Sequence, residues 1–205
     1  GAHGDRGGVC AAVCVKSAIK MELNQDGFYS PILDAVKCVN CGLCAEFCAF
    51  LHDDLAVRNI PKSSYGAWSK NQMVRRRCSS GGVGYELGKF LLNKGYKICA
   101  VRYNPQEQRA EHYIATNEQE FMPSIGSKYI QGYTLNGFKE INRKDKYLVT
   151  GTPCQIDSFR RYIRKFKVED NFVLMDFFCH SVPSMLAWKK YLRIVEKKTG
   201  PVTYV

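Results

Sequence analysis

Apolar and polar positions alternate across residues 17–33, and the alternation breaks at Asp26-Gly27. That pattern predicts two short strands joined by a tight hairpin turn. Residues 83–93 carry apolar side chains at helical spacing and end before Gly95, a helix-terminating residue. Strands are expected over 96–103, 111–116, 146–150 and 171–179, and helices over 135–143, 153–166 and 183–198. This order of strands and helices predicts an α/β domain with a mostly parallel sheet and helices on its faces. The last residues, 202–205, read as the opening of another strand, so the domain is expected to lack its C-terminal part. Three segments follow: a cysteine-rich module over 1–55, a linker over 56–77 rich in Ser, Gly and Arg, and the α/β core over 78–205.

Composition changes this picture in two ways. Ten cysteines occur, six of them in the first 48 residues. Such crowding argues for metal binding in a reducing compartment, the cytoplasm, over a disulfide framework. No apolar run approaches the roughly 20 residues that span a bilayer, so no transmembrane segment is expected. The net charge of +11, from 30 Lys and Arg against 19 Asp and Glu, raises nucleic acid as a partner. The basic residues are scattered and no nucleic-acid-binding signature accompanies them, so nucleic acid is not the expected partner. An acidic redox protein or a phosphate-bearing cofactor fits better.

The run Cys38-Val-Asn-Cys41-Gly-Leu-Cys44-Ala-Glu-Phe-Cys48 has the C-x2-C-x2-C-x3-C spacing of bacterial ferredoxins that hold a 4Fe–4S cluster. Zinc is the competitor, but zinc sites usually come as two separated C-x2-C pairs, often with His. In two-cluster ferredoxins the fourth Cys of each run ligates the other cluster. Upstream, Cys10 and Cys14 have the spacing that ends such a run, but Gly7 and Gly4 stand where its first two cysteines belong. The crossed rule therefore assembles one complete set, Cys14, Cys38, Cys41 and Cys44, and leaves Cys10 and Cys48 as remnants of a second. Either a cluster has been lost, or the first residues are not the native ones. His3 is a weak candidate to replace a missing ligand.

Ligands of open parallel sheets bind at the carboxyl ends of the strands. Two such ends carry chemistry here. Thr150-Gly-Thr-Pro-Cys-Gln155 places Thr152 and Cys154 at a helix start, where amides attract an anion and a thiol ionises more readily. Phe178-Cys-His-Ser-Val-Pro183 places Cys179 and His180 in a turn after an apolar strand. Two further loops are candidates. Ser79, Ser80, Gly81 and Gly82 open a helix just after three arginines, where small residues admit a pyrophosphate. Gly126, Ser127 and Lys128 place a cation beside a glycine turn. Neither is a dinucleotide fingerprint or a Walker A loop. Each loop alone also reads as an ordinary turn.

Taken in order, Ser79-Ser-Gly-Gly-Val83, Gly126-Ser-Lys-Tyr129, Gly151-Thr-Pro-Cys-Gln-Ile156 and Cys179-His-Ser-Val-Pro-Ser184 resemble the coenzyme F-420 hydrogenase/dehydrogenase beta subunit family. The ferredoxin-like front end is similar to that of its bacterial members. The resemblance implies an iron–sulfur flavoprotein, with FAD in the α/β core and 4Fe–4S clusters exchanging electrons with it. It implies that Ser79, Ser80, Gly81 and Gly82 line the FAD site and that Gly126, Ser127 and Lys128 approach flavin or substrate. It further implies that Cys154 and Cys179 belong to another 4Fe–4S cluster. That cluster is completed in the family by a later C-x2-C pair, which this sequence does not contain. The family's Cys-His-Gly is Cys179-His180-Ser181 here. The hydride partner of the methanogen members is an acidic deazaflavin, and several bacterial members are tied to cell-surface polysaccharide synthesis.

Three functions follow as expectations. The first is an oxidoreductase passing electrons between 4Fe–4S clusters and FAD, with a redox partner protein or a deazaflavin-like substrate, and with oligomers allowed. The second is a plain electron-transfer module with a non-catalytic core. The third is a zinc- and nucleic-acid-binding protein. No catalytic residue is assigned.

Overall fold

The computed structural model describes residues 7–52 and 63–204. His3, Gly4, Pro61 and Val205, and with them part of the expected linker, lie outside these residues. The chain opens with a short helix α1 (Val9–Ala12), then strands β1 (Ile19–Leu23) and β2 (Tyr29–Leu33), helix α2 (Leu43–Glu46) and a 3-10 turn at Ala49–Leu51. Helices α3 (Gln72–Arg77) and α4 (Val83–Leu92) lead into strands β3 (Lys97–Asn104) and β4 (Arg109–Ala115). After α5 (Glu118–Phe121) come β5 (Gly132–Tyr133), α6 (Leu135–Glu140), β6 (Tyr147–Gly151), α7 (Pro153–Lys165), β7 (Phe172–Asp176) and α8 (Met185–Thr199).

The expected hairpin forms, with β1 antiparallel to β2. Its loop is longer than a tight two-residue turn, because Leu23 pairs with Tyr29. The Asn24 carboxamide accepts the amides of Asp26 and Phe28 at 3.1 and 2.9 Å, and Gly27 takes the left-handed conformation at φ 78°.

The main sheet has the order β5-β4-β3-β6-β7. Strands β3, β6 and β7 are parallel, as expected. The strand β4 corrects the expected strand–helix–strand alternation. It returns antiparallel to β3 as a hairpin, and β5 then runs parallel to β4. The sheet is mixed, although three of its four pairings are parallel. A further correction falls on 202–204, which form no strand. Within the segment expected as linker, residues 72–77 form α3, with Asn71 capping the amides of Met73 and Val74.

Side chains alternate between the two faces of the sheet. Cys99, Tyr147 and Val149 pack with Phe138 of α6 and with Ile156, Phe159 and Ile163 of α7. Ile98, Ala100 and Leu148 pack on the other face with Val74, Tyr85, Leu91 and Phe121. Val9 and Phe47 from the cysteine-rich segment sit in the first of these cores. The Phe47 ring meets Tyr162 and Phe166 of α7, and Glu46 pairs with Lys165 at 2.8 Å. The hairpin is tied down separately. Gln131 brackets the backbone of Tyr29, and the amide of Met185 donates to Gly27 at 2.8 Å. The cysteine-rich segment thus packs directly on the α/β core.

Two polar residues are buried in β4. Glu111 is neutralised by Arg102 and Arg109 and also accepts from Asn104. His112 points its Nε2–H at the Thr150 carbonyl at 3.2 Å, while Nδ1 has no partner among the described residues. Burial pushes its pKa down from 6.5 to about 4. The unfolded chain therefore binds a proton between these values that the folded chain refuses, and stability falls as the pH drops through that window. We expect a loss of about 3 kcal/mol between pH 7 and pH 4 from this residue. Urea unfolding across that range should show it, with a shallower slope for His112→Gln. An unchanged slope in the variant would refute the assignment.

Candidate functional site

Six cysteines lie in the segment that packs on α7. Cys14, Cys38, Cys41 and Cys44 all line one cavity of about 230 Å³, with Val15, Val39 and Leu43 as its main apolar walls. Local backbone geometry explains the curl of the loop. Asn40 and Gly42 both adopt left-handed conformations, at φ 53° and 78°, a region open to glycine and tolerated by asparagine. Two amides already point at sulfur: Ala18 donates to Cys14 Sγ at 3.3 Å and Asn40 to Cys38 Sγ at 3.4 Å. Such donors stabilise thiolate and tune cluster potential. Cys41 is exposed and the other three are half-buried.

Among the described residues, no three His, Cys, Asp or Glu side chains gather around a point that would suit one metal ion. A cubane asks for a different arrangement. Each of its four irons takes one thiolate, so four sulfurs spread around a shared cavity fit it better than four sulfurs converging on a point. Cys14, Cys38, Cys41 and Cys44 share one cavity lining and supply the four thiols whose chemistry suits a 4Fe–4S cluster.

Cys10 and Cys48 are neighbours and do not line that cavity. Burial pushes the Cys10 thiol up to about 11, and the neighbouring Cys48 and Cys44 add to the shift. Gly7, where a further ligand is expected, is turned against α7. A Cβ there would stand 3.3 Å from Ser158 Oγ, the same oxygen that accepts the Ala49 amide at 3.0 Å. The second ligand set is therefore incomplete at position 7, and position 4 lies outside the described residues.

The core loops expected to flank a cofactor meet in part. The Ser127 amide donates to Ser79 Oγ at 2.8 Å and joins the two loops. Ser79 and Ser80 are exposed, and Gly82 caps α4 at φ 78° with no side-chain partner at the helix start. Gly81 is required by close backbone packing: a Cβ would lie 2.7 Å from the Ala67 carbonyl. Ser69 holds the same loop through its amide, which donates to Gly81 at 2.7 Å, and through its hydroxyl, which bonds Glu86. Sequence reasoning missed Ser69, whose only signal was its place before the Asn71 helix cap.

Lys128 points inward. Its ammonium donates to the carbonyls of Pro123, Ile125 and Gly126 at 3.1, 2.9 and 2.9 Å, with the Tyr204 ring 5.8 Å away. Burial pushes its pKa down to about 8. It clamps the loop that carries Gly126, itself at φ 88°. Thr152 lies at the start of α7, where its amide donates to Gln155 and its hydroxyl lies 3.2 Å from Cys154 Sγ. Among the described residues no hydrogen bond joins it to the Ser79–Gly82 or the Gly126–Lys128 loop. Cys154 and Cys179 follow the carboxyl ends of the adjacent parallel strands β6 and β7, half-buried and exposed respectively.

Comparison with known proteins bears on this arrangement. A family profile describing the C terminus of the coenzyme F420 hydrogenase/dehydrogenase beta subunit matches residues 144–205, which hold Thr152, Cys154 and Cys179. The C-terminal third of this chain is thus similar to the C-terminal part of that family. Its fold is shared with a chain in a structure of the F420-reducing [NiFe] hydrogenase complex from Methanosarcina barkeri, at a TM-score of 0.53 and 19% identity. The match covers 68% of this chain and 52% of that one, so the chain spans about half of its structural neighbour. No curated protein matches by sequence. No helix among the described residues is long and apolar enough to cross a membrane.

Proposed function

We propose that this chain is a coenzyme F420 hydrogenase/dehydrogenase beta subunit-like iron–sulfur oxidoreductase component whose Cys14, Cys38, Cys41 and Cys44 hold one 4Fe–4S cluster and whose α/β core takes FAD. The observation that carries this reading is the joining of Cys14 to the Cys38–Cys44 loop around one cavity, across a separation in sequence that only the fold closes. When bound, a flavin exchanges hydride pairs for the single electrons that a cluster handles. The chain's own residues have positional roles. The amides of Ala18 and Asn40 stabilise thiolate at Cys14 and Cys38. The Ser79–Ser127 bond fixes the two loops expected to flank the flavin, and Lys128 holds the second of them rigid. The first turn of α4, with no side chain capping it, offers its amides to a phosphate.

One observation favours a second reading, an electron-transfer module with a non-catalytic core: the three carbonyls around Lys128 leave its ammonium turned away from any ligand in front of Gly126. Anaerobic titration with FAD separates the two. The first reading expects saturable quenching of flavin fluorescence at one FAD per chain, and absence of quenching supports the second.

A further inference from the structure

Resting on the reading of Cys14, Cys38, Cys41 and Cys44 as the cluster site, we propose that the groove between α1, α6 and α7 is the docking surface for an acidic electron-transfer protein. The groove has a volume of about 210 Å³ and an apolar floor that includes Val9, Val13, Phe138 and Phe159. Its wall is formed by Val15 and Leu43, and the same two side chains line the cysteine cavity. An occupant of the groove therefore sits one layer of side chains from the cluster site, which suits electron transfer through a short path. Val15 is 80% exposed, an unusual setting for a valine that has a cavity on either side.

The rim carries positive charge. Lys139 and Arg143 line the groove and Lys16 lines the neighbouring cavity, and none of the three has a carboxylate partner among the described residues. The Arg143 guanidinium lies over the Phe166 ring at 4.4 Å, which holds it at the mouth. The nearby Glu46 is neutralised by Lys165. An apolar centre with a charged rim is the usual anatomy of a transient interface, and this rim selects a partner with carboxylates around its own redox centre. A second copy of this chain, at net charge +11, meets like charge there.

A plant-type [2Fe–2S] ferredoxin of net negative charge is the probe, with its dissociation constant measured by calorimetry against the full chain at low and at physiological salt. We expect binding that weakens with salt, and a loss of at least about 10-fold in affinity for the Lys139→Glu/Arg143→Glu double variant, with a flatter salt dependence. Lys189→Glu/Lys190→Glu on α8, with the same change of charge, should alter affinity by less than about 2-fold. Val15→Glu, at an exposed position, carries the same expectation as the first double variant and decides the matter if that variant loses its fold or its iron. Equal weakening by the α8 variant would overturn the proposal, since overall charge alone would then govern binding. Undiminished binding by both groove variants would also overturn it. So would a wild-type dimer in sedimentation that Val15→Glu dissociates, because the groove would then be occupied by a second copy.

Discussion

Cys14→Ser should empty the cluster site as fully as Cys38→Ser, while Cys48→Ser leaves it filled. Cys14 is 24 residues before Cys38 and outside the compact C-x2-C-x2-C run, yet it shares the cavity with Cys38, Cys41 and Cys44. Cys48 belongs to the run by spacing but does not line that cavity, and neighbours Cys10. A serine oxygen is a harder, less polarisable ligand than the thiolate that iron–sulfur clusters require. Loss of one of four ligands should therefore bring iron, sulfide and visible absorption in anaerobic protein down to background. The reverse pattern, with Cys48→Ser colourless and Cys14→Ser unaffected, would mean that the run ligates a cluster by itself and that the crossed arrangement is absent.

The second large effect lies in the support of that site. Gly137→Ala should destabilise the protein by about 2–3 kcal/mol, the cost of overpacking against atoms that cannot move. A Cβ at position 137 would stand 2.6 Å from the carbonyl carbon of His112, 2.7 Å from its Cβ and 2.8 Å from the Tyr113 amide nitrogen. The obstacle is the backbone of β4, so α6 must lift away from the sheet. That movement reaches the cysteines, because α1 rests on α6. Gly8, at the start of α1, packs so closely on Thr134 that no side chain fits between them. Thermal unfolding should show a midpoint about 8 °C lower, with weaker retention of iron. Gly66→Ala, which meets nothing within 4 Å, should be neutral within about 0.5 kcal/mol. A Gly137→Ala protein as stable as wild type would show that α6 does not approach β4 this closely.

Much of this arrangement was legible in the sequence, and the exceptions have physical causes. The spacing of the cysteine run is a local code, and the crossed rule adds Cys14 to it; the fold brings these four residues to one cavity lining. Helices α4, α7 and α8 and strands β3, β6 and β7 followed from apolar periodicity and from punctuation by glycine and proline. A strand over 111–116 was expected, but its antiparallel return onto β3 was hidden, because that return strand buries the polar Glu111 and His112. Only the cross-strand partner Arg102, opposite Glu111, with Arg109 and Asn104, makes that burial tolerable. Such a contact is invisible until the register is known. Helix α3 was read as linker because three arginines dominate it, and its one buried contact is Val74. Lys128 was read as facing a ligand. A lysine beside a glycine turn carries no mark of its direction, and three carbonyls from its own loop turn it inward.

The central claim is that one 4Fe–4S cluster sits in the cavity of Cys14, Cys38, Cys41 and Cys44. Iron, zinc and acid-labile sulfide measured together in one anaerobically purified sample of the chain test it most directly. The prediction is iron and sulfide in equal amounts, about four of each per chain, with no stoichiometric zinc. Zinc at one per chain without sulfide would contradict it, as would iron and sulfide at twice that level, which would place a second cluster on Cys10 and Cys48.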